Sequence, residues 1–186
     1  MDPDELLVLV EAHLLRVLGL DSGRASVSFL GTEPIDVLRF GPDQDGLVRY
    51  ATLGMSRHPM SGSSELLTEG PRAELVLSVR GAQDTVLRRL GAVAASPAVE
   101  GVVLTAGAGL DLGEPLWDGS RFTAVLVGEP GGLVPDAENV TFLPLLPMTP
   151  NEAAWKRVHG ATALEERWLA QGCDLRDPSR PEADLA

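Results

Sequence analysis

The segment from Leu47 to Ser56 constrains the fold of this chain more than any other. It is rich in β-branched and aromatic residues and follows the turn-forming sequence Gly-Pro-Asp-Gln-Asp-Gly at 41–46, as a strand after a tight turn does. A second strand is predicted over Arg72–Val79, beyond a loop at 57–71 that contains Gly, Pro and four Ser or Thr residues. The two strands can pair as a long-looped hairpin, which predicts a soluble α+β domain.

An N-terminal helix is predicted over residues 4–19. Pro3 suits the first turn of a helix, and Asp2 and Asp4 suit its positive N-terminal end. Apolar residues cover nearly the whole circumference of the segment, and Gly19 is a stop signal. A helix with that pattern is expected to pack against the rest of the domain rather than lie loosely on its surface.

The remaining elements follow from periodicity and from turn residues. Pro97 is expected to end the helix that starts at Gln83, and 98–104 stays open between helix and strand. Strands are predicted over 25–30, 35–40, 121–127 and 140–146, and helices over 83–95 and 161–170.

The best local signal begins at Thr149. Thr149 stands at the N-cap, Pro150 at the first helical position, and Glu152 three residues after the cap. This is the pattern of a capping box, in which the two side chains satisfy amides at the start of a helix. It predicts a helix from Pro150 onward.

The length of 186 residues is that of one domain able to bury a sizeable core. We expect a single domain over 1–186 with its core at about 25–176. The charged, proline-containing tail at 177–186 is expected to fray.

The net charge of −12 argues against binding to a nucleic-acid backbone or to an anionic membrane surface. The negative charge either keeps the protein soluble or forms an acidic face for a basic partner, and the sequence leaves both interpretations open. The single cysteine, Cys173, excludes an intramolecular disulfide and fits a reducing compartment. With an acidic N-terminus and an apolar run, 6–18, too short to span a bilayer, the chain is expected to be cytoplasmic.

The sequence offers little support for a metal site, a cofactor site or a catalytic site. His13, His58 and His159 lack ligand spacing, so no metal site is predicted. The glycines at 107–109 are expected to form a turn rather than a dinucleotide loop, and no cofactor is predicted. Ser56 is better explained by a turn hydrogen bond than by nucleophilic catalysis, so no catalytic residue is predicted. A charge such as Glu74 within a strand is expected on a solvated face.

Several motifs in a fixed order carry a resemblance to a known family. They are Tyr-Ala-Thr-Leu-Gly-Met-Ser at 50–56, Arg-Ala-Glu-Leu-Val-Leu at 72–77, Val-Thr-Phe-Leu-Pro-Leu-Leu-Pro-Met-Thr-Pro-Asn-Glu at 140–152 and His-Gly at 159–160. From about Asp36 to Arg180 the chain resembles the Suppressor of fused (SUFU) domain family in its bacterial single-domain form. Together with the alternation in the two strands, the resemblance implies a mixed β-sheet flanked by helices. It also implies a protein-binding domain without catalysis, because animal members sequester a transcription factor and bacterial members resemble immunity proteins beside secreted toxins. It also allows a structural salt bridge among Glu74, Glu152 and Arg176.

The resemblance suggests where a protein partner, such as a toxin domain, would bind. We expect an extended segment of the partner along the strand and loop Tyr50–Ser61, with Tyr50, Arg57, His58 and Met60 as contacts. Alternatively, Tyr50 and Met55 are core residues and the loop has no binding role.

A different class of function stays open, namely a small-molecule-binding or enzymatic α+β domain with a cleft beside the 47–61 strand and loop. A deep apolar pocket lined by His58 and several carboxylates would favour it. The oligomeric state is not predicted.

Overall fold

The computed structural model describes residues 1–61 and 70–186. The helices are α1 (Pro3–Leu18), α2 (Val86–Glu100), α3 (Pro150–His159) and α4 (Ala161–Ala170). The strands are β1 (Gly23–Val27), β2 (Ile35–Phe40), β3 (Leu47–Leu53), β4 (Arg72–Arg80), β5 (Gly109–Asp111), β6 (Ala124–Val127) and β7 (Val140–Met148).

The described strands form one mixed sheet in the order β1-β2-β3-β4-β7-β6-β5. Neighbouring strands are antiparallel except β4 and β7, which run parallel. The predicted pairing of β3 with β4 is confirmed, in a register from Leu47 opposite Arg80 to Ala51 opposite Val76. The α+β fold with a mixed sheet flanked by helices is therefore as the sequence predicts.

Helices cover both faces of the sheet. The inward residues of α2, among them Leu90 and Val93, pack on one face against Tyr50 and Leu77. On the other face α1 lies over β2, β3 and β4, and α3 and α4 lie over β6 and β7. Because successive side chains of a strand point to opposite faces of the sheet, the apolar core is divided into separate clusters on the two faces.

The last three residues of the segment Leu47–Ser56 do not belong to the strand. The strand ends at Leu53, Gly54 adopts a φ of 140°, and Met55–Arg57 form one turn of 3₁₀ helix. Such a backbone angle strongly favours glycine, and it turns the chain out of the sheet. The predicted loop at 57–71 follows this turn, and its part from 62 to 69 lies outside the described residues.

Pro97 does not end α2, which continues to Glu100 with Gly101 in the left-handed conformation after it. A proline has no N–H for the carbonyl four residues earlier, here that of Val93. The hydroxyl of Ser96 donates to that carbonyl at 2.6 Å, which supplies the missing hydrogen bond. The helix therefore tolerates the proline in its last turn.

The prediction that the tail at 177–186 frays is wrong. Arg180 is 2% exposed and Ala183 is 5% exposed, and both pack with α3 and α4. The tail is held by the ion pair of Arg180 with Glu152, at 2.9 Å. Glu152 is also the glutamate of the predicted capping box at Thr149, which the structure confirms.

Candidate functional site

Of the four residues predicted to contact a partner, Tyr50 lies in the core. Its hydroxyl donates to Asp84 at 2.9 Å and accepts the amide of Gln83 at 2.7 Å. Burial raises the pKa of Tyr50 to about 12, and the neighbouring carboxylate of Asp84 adds to the effect. Tyr50 therefore anchors the segment before α2 and does not face solvent, which corrects its assignment as a contact.

Met60 is also a core residue, with 3% of its surface exposed. Its sulfur accepts the amide of Leu104 at 3.3 Å, and its own amide donates to the carbonyl of Pro71 at 2.8 Å. The side chain fills space beneath the segment at 102–104 instead of projecting from the loop. Because Met60 is buried, it cannot offer the predicted apolar contact to a partner.

His58 is exposed, whereas only 16% of the Arg57 side chain is exposed, and both residues lie beside Glu33. The imidazole Nε2 of His58, which is 64% exposed, lies 2.7 Å from a carboxylate oxygen of Glu33. The Arg57 guanidinium lies 3.7 Å from Glu33 and 3.9 Å from Asp4, and it donates to the carbonyl of Pro34. These two side chains are therefore the ones a partner could meet, and their role in binding stays a prediction.

A cleft of about 430 Å³ lies beside these residues. Its walls come from the approach to β2, from the 3₁₀ turn and from the last turns of α2. Among its described lining residues the one carboxylate is Glu33, next to Arg57 and His58. The described part of the lining therefore does not show the several carboxylates that would favour the enzymatic alternative.

The turn that carries Arg57 and His58 is held by a buried carboxylate. Glu74 is fully buried and accepts hydrogen bonds from the amides of Gly54, Met55 and Ser56 and from the hydroxyls of Thr52 and Ser56. Burial raises the pKa of the Glu74 carboxyl, while these donors oppose that shift. Glu74 thus lies in the interior and not on the predicted solvated face. The hydroxyl of Ser56 donates to Glu74 on β4, whereas the prediction was a hydrogen bond to a group of its own turn.

Glu152 is the second buried carboxylate. It makes a two-pronged ion pair with Arg180, at 2.9 and 3.0 Å, and accepts from the indole of Trp168 at 2.8 Å. The amides of Thr149 and Ala183 complete its shell. One side chain therefore caps α3, holds α4 and fixes the tail.

The predicted salt bridge among Glu74, Glu152 and Arg176 does not form. Glu152 pairs with Arg180, whereas Arg176 pairs with Asp174 at 3.3 Å. Glu74 has no cationic partner among the described residues. The sequence contained one sign of the burial of Glu74. Thr52, Gly54 and Ser56, which donate to it, recur at every second position of a mainly apolar segment.

Strand pairing along Tyr50–Leu53 is excluded by the sheet order, because β3 already pairs with β2 and β4. In the sheet of described strands the edges are β1 and β5. The edge at β5 has three residues, and the ion pair of Arg157 with Asp111 lies on it at 3.1 Å. The longer edge, β1, is therefore the candidate for strand addition.

Two exposed leucines flank this edge. Leu20 is 85% exposed before β1, and Leu30 is fully exposed after it. Arg24, the charged residue of β1, is engaged by Glu11 and lies 3.8 Å from Asp36. The edge thus combines unpaired backbone with apolar side chains at both ends, features that sheet edges usually avoid.

Within residues 1–61 and 70–186, no three His, Cys, Asp or Glu side chains are grouped so that they could hold a metal ion. The helices described for this chain are also too short or too polar to cross a membrane.

The fold and these sites define an α+β domain with a mixed sheet, in which the buried carboxylates Glu74 and Glu152 hold a turn and the C-terminal tail in place. The family model of the Suppressor of fused protein (SUFU) matches residues 31–181, and the chain belongs to this family. Comparison with curated proteins finds no matching sequence.

Solved structures of the same fold support the architecture. A SUFU homolog of Neisseria gonorrhoeae FA 1090 superposes with a TM-score of 0.77 at 18% identity, over 98% of this chain and 99% of that one. A structure of the Sufu–Fu complex gives 0.67 at 14% identity, over 95% and 91% of the two chains. Drosophila Suppressor of Fused gives 0.63 at 15% identity, over 94% of this chain and 50% of its own.

Proposed function

We propose that this protein is a non-enzymatic protein-binding domain that takes up an extended segment of a partner along the edge of β1. The observation that carries the proposal is the edge itself, with Leu20 and Leu30 exposed at its two ends. Backbone pairing at a sheet edge provides affinity, and apolar side chains beside the edge provide specificity. Neither needs a catalytic group.

The cleft with Arg57 and His58 extends this surface. The end of β1 pairs with the start of β2, where Val27 lies opposite Ile35, and Ile35 lines the cleft. A segment that runs along β1 and past the Leu30 turn can therefore reach Arg57 and His58. This retains two of the predicted contacts and moves strand pairing from β3 to the sheet edge.

The comparison with the Sufu–Fu complex supports a protein as the partner, since a protein of this fold was solved bound to another protein. The net charge of −12 favours a basic partner. We infer that the partner is a basic toxin domain and that the protein acts in the cytoplasm as its immunity protein.

The test begins with a toxin domain encoded beside this chain, or with a partner identified by pull-down from the native cell and mass spectrometry. The purified partner is titrated calorimetrically into wild type and into the Leu30→Asp and Arg57→Glu variants. We expect Leu30→Asp to weaken binding at least about tenfold, because a buried contact becomes a desolvated charge. Arg57→Glu should weaken it less, since its side chain is at the periphery.

The matched control is Leu169→Asp, which replaces a leucine that is 83% exposed on α4. It should bind the partner like wild type. Full affinity in both Leu30→Asp and Leu20→Asp would place the interface elsewhere and overturn the edge proposal. Failure of the wild-type protein to rescue growth of cells that express the bound toxin would overturn the immunity role alone.

A further inference from the structure

The second face of the sheet has a gap between its helices. There α1 lies over β2 to β4, while α3 and α4 lie over β6 and β7. These helices leave part of the parallel pair β4 and β7 uncovered around Ser78 and Pro144, although parallel strands are normally covered on both faces. A groove of about 200 Å³ occupies this place. Most of its lining residues are apolar, among them Val76, Leu133, Phe142, Pro144 and Leu146, and Ser78 is polar.

A cationic group lies at the groove. Arg176 is one of its lining residues, and its Nε lies 3.3 Å from Asp174. Arg80 binds the same carboxylate at 3.0 Å, so two guanidinium groups share one negative charge. Among the described residues the terminal nitrogens of Arg176 have no hydrogen-bond partner. This local excess of positive charge stands out in a chain of net charge −12.

We propose that the groove binds a small amphipathic carboxylate, with its hydrocarbon part against Val76, Phe142 and Leu146 and its carboxylate on Arg176. The guanidinium fork matches a carboxylate in two-pronged geometry. The hydroxyl of Ser78 offers one further polar contact at the floor. This site lies on a sheet face and is independent of the edge proposed for the protein partner.

The volume sets the size of the ligand. A dry cavity of about 150 Å³ holds benzene, so 200 Å³ corresponds to roughly eight carbon atoms. An acyl chain of about that length fills the groove and removes its apolar lining from water. The excess positive charge selects an acid over an amine or an alcohol of the same length.

The experiment is a calorimetric titration of the full chain at neutral pH with octanoate, octan-1-ol and octylamine. Octanoate should bind tightest, by about tenfold over the alcohol, because it gains a charge-assisted hydrogen bond. Arg176→Gln should remove this advantage and leave the alcohol unchanged. Arg157→Gln, which changes an arginine that is 60% exposed on α3, is the matched control and should bind octanoate like wild type.

Filling the groove provides a second test. Ser78→Leu should abolish binding of all three compounds, whereas Ser78→Ala should retain it. Methyl resonances of Val76 and Leu146 in the wild-type protein should shift on addition of octanoate, and this readout needs no variant. Octanoate binding that leaves those methyl groups and the Arg176→Gln variant unaffected would overturn the proposal. So would a concentration-dependent dimer that octanoate fails to dissociate, because it would assign the face to a second copy of the chain.

Discussion

Arg72 and Glu74, two positions apart on β4, hold opposite ends of the turn Met55–Arg57. The carboxylate of Glu74 accepts the amides at the start of the turn, and the guanidinium of Arg72 donates to the carbonyls of Ser56 and Arg57 at its end, both at 2.8 Å. Negative charge thus meets the amides of a helical turn and positive charge meets its carbonyls. The pair fixes the turn from which Arg57 and His58 reach the cleft.

Glu74→Gln should destabilise the protein by about 1–3 kcal/mol, because an amide group in place of a carboxylate oxygen leaves buried donors without an acceptor. Urea denaturation measures this, and hydrogen exchange should become faster at the amides of Gly54, Met55 and Ser56. Glu100→Gln, at the exposed end of α2, is the control and should change neither. Unchanged exchange at the turn would contradict the role given to Glu74.

Arg180→Met should cost about 3–5 kcal/mol of stability, since it leaves the carboxylate of Glu152 buried without its ion-pair partner. The same measurement on Arg157→Met, at an exposed arginine, should differ from wild type by less than about 0.5 kcal/mol. Limited proteolysis should cleave within 177–186 more readily in Arg180→Met than in wild type. Equal stability of the two variants, with equal cleavage of the tail in wild type and Arg180→Met, would contradict the role given to Arg180.

The stability contributed by Glu152 should depend on pH. Burial alone would raise the pKa of Glu152, but hydrogen bonds from Arg180, the Thr149 amide and Trp168 lower it below its usual value. Its contribution is therefore fully present above the unfolded pKa and is lost as the pH falls through the folded pKa. The difference in unfolding free energy between wild type and Glu152→Gln should shrink from about pH 6 to pH 3. A constant difference would contradict the lowered pKa.

Tyr50 is the only tyrosine of the chain, so tyrosinate absorbance reports on it alone. Burial raises its pKa to about 12, whereas the unfolded chain should titrate near about 10. The stability that this group contributes is present below the unfolded pKa and is lost as the pH rises through the folded one. Ultraviolet titration of native and denatured protein should give separate midpoints. Coincident midpoints would mean that the hydroxyl is solvated.

Thr149→Ala should cost about 1 kcal/mol, because the amide of Glu152 loses its acceptor at the helix start. The hydroxyl also donates to Glu182, so the substitution should loosen the tail as well. Thr149→Ser keeps both hydrogen bonds and should remain close to wild type. A thermal melting midpoint that is the same for Ala and Ser would argue against the cap.

The sequence by itself determined the elements whose signals are local. The capping box at Thr149 needs three neighbouring residues, and the strands from Leu47 and Arg72 need only alternation over a few positions, so both were predicted correctly. The order of family motifs identified the family for the same reason, because it is written along the chain. The prediction that Pro97 ends α2 was wrong because the neighbouring Ser96 supplies the hydrogen bond that the proline cannot make.

The tertiary structure decided everything that depends on partners distant in sequence. Glu74 is buried because donors some twenty residues earlier surround it, and the tail is ordered because Arg180 meets Glu152 28 residues away. Tyr50 and Met60 became core residues once α2 and the segment at 102–104 packed over them. Which strand forms the sheet edge depends on the order of all the pairings, and no single segment encodes it. Which side chains are buried and which strands lie at the edge are properties of the assembled sheet, because the exposure of a side chain is set by what packs against it.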